Sequence, residues 1–561
     1  MFSQQTLVLG YLRGMRMRVK AKFLIGWAVA LSMAATLSAA KPQQAAQKPS
    51  VGSNVEADGT TALHRAAQRN DLAAADQLIR AGANIKAANR YGVTPLSLAC
   101  INGNAAMIEL LLKAGADANT TLPEGETALM TAANTGNVAA LKVLLAHGAN
   151  VNATENSRGQ TALMWAVNEG HTGAAQALIE AGANINARSK GKFTPMVFAV
   201  RGGKTDIVRL LLKAGAPATD TVAGAAVAAG VAGLNATDST SLVGLAIING
   251  QFDIAQLLLQ NGADPNTPDS RGSLLHTLAW MRRPGSGRGL PPDPVGDSLE
   301  LAKVMLARGA KPNVRIAWQE IPFDLDDGEV KSPPNVPAGR DFILMTGVTP
   351  YFLATKNGDV ALMRLLIANG ADPRIPNVHG VTAFMAAAGF GYWDGESPGP
   401  LNGTSEAERL EAVKLALELT GEDVNGVADF GGKIEFDEDG EDLLFSYPVK
   451  YSLDPTRGPS PEATMGDVRW AGSTALHGAA LLGQESIIRF LVEKGARLDA
   501  RNKAGWTPLM VTQGMLVAAN ARFYPKAEAL LKQLMIERGM DPAKYSRRPV
   551  TTSVVKQKQV P

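Results

Sequence analysis

The chain has 561 residues, of which 46% are hydrophobic and 19% charged, and this composition excludes a largely disordered protein. Its formal net charge is +3, but residues 1–40 carry five basic and no acidic side chains. The rest of the chain has 50 basic and 52 acidic residues. It therefore lacks the positive charge that nucleic-acid binding favours. Cys100 is the only cysteine, which excludes an intramolecular disulfide and a Cys-x-x-Cys redox pair.

The first 40 residues have the pattern of an export signal. Basic residues from Arg13 to Lys22 precede the apolar run "FLIGWAVALSMAATLSAA", which ends in small residues suited to signal-peptidase cleavage before Lys41. We therefore expect residues 1–40 to be a signal peptide and the mature chain to be periplasmic or secreted. The alternative is an uncleaved membrane anchor, because the run is just long enough to span a bilayer. Residues 41–57, rich in Gln, Ala and Pro, are expected to form a disordered linker.

From residue 58 to about residue 220 the sequence repeats itself five times. Each segment opens on a Thr and closes on the Gly of a Gly-Ala pair, and both anchors recur every 33 or 34 residues. The Thr anchors are Thr61, Thr94, Thr127, Thr161 and Thr194, and the Gly anchors are Gly82, Gly115, Gly148, Gly182 and Gly215.

One such segment predicts two short helices. The Thr hydroxyl caps the first helix, and the Ala or Pro that follows it fits the first helical turn. A Gly or Asn then ends the first helix. A second helix follows, with Leu and Ile at helical spacing, as at Ile108, Leu111 and Leu112. The Gly anchor supplies a left-handed stop. Since a single segment cannot bury its apolar face alone, the segments must stack.

These signatures resemble the ankyrin-repeat family. Further Gly anchors continue the pattern at Gly262, Gly309, Gly370, Gly421, Gly495 and Gly539. The resemblance implies an all-α solenoid of about eleven helix-turn-helix units, interrupted by long loop or hairpin inserts. A hairpin-like segment, here called a crossing, joins each unit to the next. The resemblance also implies that the chain binds another protein.

The irregular spacings divide the chain. We expect regular repeats 1–5 over residues 58–220, repeats 6–7 with inserts over 221–313, an insert over 314–346, repeats 8–9 with an inter-helix insert over 347–422, a hairpin insert over 423–470, repeats 10–11 over 471–540 and a disordered tail over 541–561. The two longest inserts, 314–346 and 423–470, are expected to flank repeats 8 and 9 as two walls, and the second contains the turn Asp439-Gly440.

Aromatic residues concentrate around these two inserts. Residues 58–270 contain five aromatic side chains, whereas residues 280–470 contain sixteen. Aromatic residues and Arg are enriched at binding hot spots, although inserts also need small cores of their own. Our candidate partner-binding residues are Trp318, Phe323, Arg340, Phe342, Tyr351, Phe390, Tyr392, Trp393, Phe436 and Tyr447. The family's variable inner-helix positions give a second set of candidates: Gln68, Arg69, Ile101, Asn102, Asn134, Thr135, Asn168, Glu169 and Arg201.

The sequence gives little support for catalysis, a metal or a cofactor. His64, His276 and His477 take the family's structural His position, and no pair of histidines has metal-ligand spacing. The acidic run "EFDEDGEDLLFS" fits the start of a calcium loop but has Ser446 where the bidentate Glu is required. We expect no enzyme activity. The alternative is an enzyme or small-ligand binder whose pocket the inserts form, with Asp326, Asp327, Asp437 or Asp439 as its acids.

We therefore expect an exported, monomeric scaffold that holds a partner protein on its concave face and against the insert walls. No nucleic acid is expected as a ligand, and membrane contact is expected only if the signal stays uncleaved. A third interpretation is that the inserts only cap and stiffen the stack, in which case their aromatic residues would be fully buried.

Overall fold

The computed structural model of the chain describes residues 55–223, 239–269, 272–282, 296–316, 345, 347–377, 380–390, 404–428, 471–514 and 523–546. These residues form eleven pairs of helices, which confirms the predicted all-α repeat architecture. In chain order the pairs are α1 Ala62–Gln68 and α2 Leu72–Arg80; α3 Pro95–Asn102 and α4 Ala105–Lys113; α5 Ala128–Asn134 and α6 Val138–Ala146; α7 Ala162–Glu169 and α8 Thr172–Glu180; α9 Pro195–Arg201 and α10 Thr205–Lys213; α11 Leu242–Ile248 and α12 Phe252–Gln260; α13 Leu274–Arg282 and α14 Ser298–Ala307; α15 Pro350–Lys356 and α16 Val360–Ala368; α17 Ala383–Ala387 and α18 Glu406–Thr420; α19 Ala475–Leu481 and α20 Glu485–Glu493; α21 Pro508–Thr512 and α22 Pro525–Glu537.

The first helix of a pair, here called the inner helix, begins at a hydroxyl cap. In α1 the Thr61 side chain accepts a hydrogen bond from the His64 N–H, and in α9 the Thr194 side chain accepts one from the Val197 N–H. Such a cap satisfies one of the free N–H groups at the helix start. In the seventh repeat Ser273 takes the place of the Thr, and its hydroxyl lies 2.8 Å from Nδ1 of His276.

The Gly that ends each repeat is required for its backbone conformation. Gly82 has a φ of 84° and Gly495 a φ of 96°, in the left-handed region that other residues rarely adopt. A Cβ added at either position would meet no atom within 4 Å, so space is not the reason for glycine. The two anchors with the weakest sequence signal, Gly421 and Gly539, also have positive φ values, of 60° and 71°.

The repeats form an unbroken stack from the first pair to the last. Each inner helix packs against the inner helix of the next repeat, and each second helix packs against the next second helix, including across every insert. The hydrophobic core is continuous and consists mainly of Ala, Leu, Ile, Val and Met side chains. One row of inner helices and one row of second helices thus run side by side through the stack, as a solenoid requires.

Asn side chains join successive crossings to one another. In the regular half, Asn152 Nδ2 donates to Gly182 O over 3.3 Å, and its Oδ1 accepts from the Asn184 N–H over 2.7 Å. The same two bonds join Asn313 to Gly370 and Asp372, and Asn425 to Gly495 and Arg497. The last two sets reach across the two longest inserts, so these inserts leave the register of the stack unchanged.

The three inserted crossings are closed at their base by backbone hydrogen bonds. Strand β1 (Thr221–Ala223) pairs antiparallel with strand β2 (Ser239–Ser241) between repeats 5 and 6. Between repeats 7 and 8, the Ile316 N–H donates to Val348 O over 3.0 Å. Between repeats 9 and 10, the Gly472 N–H donates to Ala428 O over 2.9 Å. Each insert therefore leaves the stack and returns to it at the same place.

Several predicted boundaries change. Residues 55–57 are part of the first repeat and not of a linker, because Glu56 forms an ion pair with Arg65. Residues 314–316 and 423–428 belong to ordinary crossings and not to the inserts. Residues 541–546 are not a disordered tail: they contain a 3₁₀ helix, Pro542–Tyr545, and Tyr545 O accepts a hydrogen bond from Thr507 Oγ1 over 2.7 Å.

Candidate functional site

Of the ten candidate partner-binding residues in and around the inserts, eight lie outside the described residues: Trp318, Phe323, Arg340, Phe342, Tyr392, Trp393, Phe436 and Tyr447. The four acids of the alternative pocket, Asp326, Asp327, Asp437 and Asp439, also lie outside them. Their roles therefore stay predictions.

Tyr351, one of the two remaining candidates, is a core residue. Its side chain is 1% exposed, because it takes the position two residues after the Thr anchor where Leu63 lies in the first repeat. Burial raises the pKa of the phenol to about 12, although the nearby Thr355 side chain opposes the shift. We therefore correct the prediction that Tyr351 contacts a partner.

Phe390, the other described candidate, is buried between repeats 9 and 10 with 0% exposure. The backbone here lies very close to α19, since a Cβ added to Gly478 would lie 2.4 Å from Phe390 N. Gly389 and Gly478 thus allow this close packing, and the prediction that Phe390 contacts a partner is corrected as well.

The second set of candidates lies on a surface that we call the inner face, which comprises the C-terminal ends of the inner helices and the tips of the crossings. In repeats 1–5 these helix ends are exposed; Ile101, for example, is 41% exposed. In repeats 7–11 the equivalent described positions are buried or nearly so, as at Trp280, Lys356 and Leu481. The exposed positions in the regular half are Gln68, Arg69, Ile101, Asn102, Thr135, Asn168, Glu169 and Arg201, while Asn134 is partly buried.

One of these residues also has a structural task. Asn102 Nδ2 donates to Ala67 O over 3.2 Å and to Gln68 O over 2.7 Å, so it caps the C-terminal end of α1. Its exposure alone therefore does not mark it as a contact residue. By contrast, Ile101 is an exposed apolar side chain, and the Arg201 guanidinium has no hydrogen bond or ion pair within the described residues.

The inner face carries charged side chains that the sequence reasoning missed. Arg158 and Lys190 lie at neighbouring crossing tips, where the Lys190 N–H donates to Arg158 O over 2.8 Å. Both side chains are exposed, and Arg201 follows on the end of α9. The sequence could have indicated Arg158 by its position, three residues before the Thr161 anchor. Glu124 takes the same position before Thr127.

Acidic residues occupy the equivalent surface one repeat earlier. Glu124 and Glu126 lie at the tip and base of the crossing before α5. Burial raises the pKa of Glu126, and the nearby carboxylates of Glu124 and Glu155 raise it further, while a hydrogen bond from Thr131 Oγ1 at 3.1 Å opposes them. The tip of the crossing before α5 is therefore acidic, whereas the tips of the next two crossings carry Arg158 and Lys190.

The histidines in the described residues have structural contacts. Nδ1 of His276 accepts from the Ser273 N–H over 3.0 Å, so Nε2 carries the proton and donates to Val348 O over 3.0 Å. His477 makes the same pair of contacts with Thr474 and Trp506. The rings of His276 and His477 thus each join one inner helix to the next crossing.

Among the described residues, no cluster of three or more His, Cys, Asp or Glu side chains is arranged to hold a metal ion. Cys100 is buried in α3, and burial raises the pKa of its thiol to about 12, which leaves it unreactive. Within the same part of the chain, no helix is long and apolar enough to cross a membrane.

Comparison with known proteins agrees with this geometry. A model of ankyrin repeats matches three times, at residues 33–121, 114–189 and 188–269, and a model of the single ankyrin repeat matches residues 346–378 and 471–503. Together these matches cover more than half of the chain. This chain belongs to the ankyrin-repeat family.

Among solved structures, the ankyrin-repeat chain is similar to the crystal structure of the human ASB11 ankyrin repeat domain. The two are 23% identical, and the match covers 45% of this chain and 100% of that chain with a TM-score of 0.35. No curated protein matches the chain. Ankyrin-repeat proteins are generally non-enzymatic scaffolds for protein–protein interaction, so membership of the family supports protein binding for this chain.

Proposed function

We propose that this chain is an exported scaffold that binds a partner protein on the inner face of repeats 1–5, with the long inserts adding to the contact. The observation that carries the proposal is the contrast in exposure along the inner face. The helix ends are exposed in repeats 1–5 and covered in the described part of repeats 7–11. Exposed side chains on rigid, packed helices give a partner a preorganised surface.

The test is a crosslinked capture from an extracytoplasmic extract with three versions of the chain. The first is intact, and the second carries Ile101→Arg and Asn168→Arg on the inner face. The third carries Gln77→Arg and Ala139→Arg on the exposed side of α2 and α6 as a matched control. We expect the inner-face variant alone to lose the captured protein. Equal capture by all three versions contradicts binding through this face.

The inserts require a fourth version of the chain. Residues 317–344 and 429–470 are each replaced by a short Gly-Ser linker, which keeps the buried Met345 and the hydrogen bonds that close the bases of these inserts. If this variant keeps its helix content and loses the partner, the inserts are part of the binding surface. If it keeps the partner, the inserts are structural and the inner face of repeats 1–5 is sufficient.

For the location of the chain we propose export and cleavage before Lys41. The support is the basic segment from Arg13 to Lys22, followed by the apolar run and its small-residue ending. Amino-terminal sequencing of the chain from an extracytoplasmic fraction tests this proposal. An amino terminus at Lys41 supports it, whereas an intact, membrane-bound chain indicates an anchor.

A further inference from the structure

The tips of the crossings before α7 and α9 carry exposed cations at Arg158, Lys190 and Lys192. The two crossings are in direct contact, because the Lys190 N–H donates to Arg158 O over 2.8 Å and Lys190 Nζ donates to Asn156 O. The stem of Lys190 also lies against Gly159, where an added Cβ would be 3.1 Å from Lys190 Cγ. The charge of Lys190 therefore lies at the tip that carries Arg158.

Lys192 belongs to the same turn as Lys190. Its N–H donates to Ser189 O over 2.9 Å, and its carbonyl oxygen accepts from Arg188 Nη1 over 3.1 Å. These two bonds close the turn and fix the backbone on which both lysines stand. We call the surface formed by Arg158, Lys190 and Lys192 the basic tip.

Lys192 adopts a backbone conformation for which other crossings use glycine. Its φ is 66°, in the left-handed region where a Cβ crowds the backbone. The residue two positions before the anchor Thr is a glycine with positive φ at Gly92 (75°), Gly125 (81°) and Gly505 (78°). Gly92 also makes the same hydrogen bond as Lys192, from its N–H to Asn89 O over 2.9 Å. The turn itself therefore requires the left-handed conformation, and glycine would adopt it without strain.

No polar contact of the Lys192 side chain offsets this strain. The side chain is exposed, and within the described residues it forms no hydrogen bond or ion pair. Backbone strain of this kind clusters at binding sites, where the strained residue serves a ligand and not the fold. A lysine at this position therefore points to a contact outside the stack.

The two carboxylates closest to the basic tip along the chain already have other partners. Glu155 is 6% exposed and accepts hydrogen bonds from three N–H groups of its own crossing at 2.6 to 2.9 Å. Asp220 pairs with Arg188 over 2.8 Å and accepts from Thr194 Oγ1 over 2.9 Å. Neither carboxylate is available to the cations of the basic tip.

The carboxylates of neighbouring elements mark the limits of the basic tip. Glu169 lies at the opposite end of α7, about 12 Å along the helix axis, and accepts from Asn168 Nδ2 over 2.9 Å. Glu124 is exposed and Glu126 partly buried on the preceding crossing, which meets the next one where the Asn156 N–H donates to Glu124 O over 2.8 Å. In the part of the chain that the structure describes, none of the three forms an ion pair with the basic tip. The surface thus keeps its positive charge and has an acidic boundary on the side of repeat 3.

We infer that the basic tip binds a short acidic segment of the partner protein and that Lys192 is one of its recognition residues. This inference rests on the proposed function and names the chemistry of the partner. Arg158 can hold a carboxylate in a two-pronged hydrogen-bonded pair, and the two lysines act as point charges for further carboxylates. Because hydrogen bonds fix the backbone of both tips before binding, little ordering of the surface opposes the contact.

The acidic boundary favours a short acidic peptide over a nucleic acid. A phosphate backbone carries a charge on every nucleotide and would meet Glu124 as it left the basic tip. A peptide avoids that repulsion, since a neutral or basic residue can follow its few acidic ones.

The experiment is a selection of random peptides on the intact chain by phage display, followed by affinity measurements on synthetic, fluorescein-labelled copies. The same measurements use four variants: Lys192→Gly, Lys192→Arg, Arg158→Gln with Lys190→Gln, and Arg209→Gln on the exposed side of α10 as the matched control. A single-stranded oligonucleotide of equal charge is the second probe. Thermal unfolding is measured for each variant.

We expect the selected peptides to be rich in Asp and Glu and to bind more weakly as salt is added. Their affinity should fall about tenfold in the double Gln variant and about threefold in Lys192→Gly, and stay within about twofold in Lys192→Arg and Arg209→Gln. Lys192→Gly should unfold at the same temperature as the intact chain or higher, because glycine relieves the strain. A merely structural role of Lys192 does not give weaker binding without a loss of stability.

Four results overturn the inference. Peptides without acidic enrichment, or peptides that bind Lys192→Gly and the double Gln variant as well as the intact chain, show that the basic tip is not the recognition site. If those peptides still lose binding in Ile101→Arg with Asn168→Arg, the proposed function stands without this inference. A lower unfolding temperature of Lys192→Gly shows that the lysine supports the fold. Tighter binding of the oligonucleotide shows that the basic tip takes a nucleic acid. Failure to select any peptide argues against both the inference and protein binding on this face.

Discussion

Arg282 and Asp359 form a two-pronged ion pair between repeats 7 and 8. Arg282 Nε lies 2.7 Å from Oδ2 of Asp359, and Nη2 lies 3.1 Å from Oδ1. The Asp359 side chain is 2% exposed, and a third guanidinium nitrogen donates to Ser298 Oγ over 2.6 Å. The pair therefore ties both helices of repeat 7 to the start of α16, and it does so across the insert of residues 317–346.

Removing one partner of this pair should destabilise the middle of the stack. Asp359→Ala leaves the guanidinium of Arg282 buried without a counter-charge and removes the cap that Asp359 gives to the Leu362 N–H. We expect a loss of about 3–5 kcal/mol in the free energy of unfolding of this region. Chemical denaturation, together with hydrogen exchange in α13 and α16, measures the loss.

Two controls make this prediction specific. Arg364 and Glu411 form an exposed pair at 3.4 Å, so Arg364→Ala should cost less than about 1 kcal/mol. Arg282→Met combined with Asp359→Asn removes both charges and should cost much less than Asp359→Ala alone. A double variant as unstable as Asp359→Ala would show that the charge pair is not the source of the effect.

The insert of residues 429–470 should be removable without unfolding the stack. Its two ends meet where the Gly472 N–H bonds Ala428 O, and Asn425 independently joins the crossings on either side of it. A chain with a short Gly-Ser linker in its place should keep the hydrogen-exchange protection of α19 and α20. Adding Asn425→Ala to that chain should then cost about 1 kcal/mol. Loss of protection in α19 and α20 on trimming alone would mean that the insert holds repeat 10 in place.

Close backbone packing at Gly478 predicts a strong effect of a single methyl group. In Gly478→Ala the new Cβ would lie 2.4 Å from Phe390 N, and a backbone atom cannot move aside as a side chain can. We expect a loss of about 1–3 kcal/mol or more in unfolding free energy. Gly173→Ala in α8 is the matched control: its nearest atom is Val138 Cγ2 at 3.3 Å, and Ala favours the helix, so that change should be between neutral and about 1 kcal/mol stabilising. Equal effects of the two substitutions contradict the packing argument.

The sequence was sufficient to predict the repeats because their signals are local. A Thr such as Thr194 caps its own helix and a Gly such as Gly215 adopts its own φ, so spacing alone predicts eleven units. The site was harder to predict because burial depends on packing between repeats. The sequence alone does not distinguish Tyr351 and Phe390 from exposed aromatic residues. In the structure each fills a core position that neighbouring repeats create.

The charged residues at the crossing tips were missed for a related reason. Arg158 and Lys190 belong to successive crossings, and they meet where the Lys190 N–H donates to Arg158 O. That contact depends on how one crossing stacks on the next, and no local pattern of residues reports it.

The buried rings of His276 and His477 should make the stability of the chain depend on pH. Burial lowers the pKa of each imidazole to about 4, although its hydrogen bond to a backbone carbonyl opposes the shift. Nδ1 of each ring now accepts a hydrogen bond from a backbone N–H. Protonation would place a hydrogen on Nδ1 and break that hydrogen bond. The folded chain therefore favours the neutral ring, whereas the unfolded chain takes up a proton near pH 6.5.

Stability from these two rings should be complete above pH 6.5 and fall as the pH drops toward 4. In that pH window each ring adds up to about 1.4 kcal/mol per pH unit to the slope of the unfolding free energy against pH, because the unfolded state binds the proton and the folded state does not. Denaturation curves at pH 7, 6, 5 and 4 measure the slope for the intact chain, for His276→Gln and for His477→Gln. Each variant should be less stable at pH 7 and lose less stability on acidification than the intact chain. If His276→Gln and His477→Gln retain the full slope, the acid sensitivity comes from other groups and the two rings are not its source.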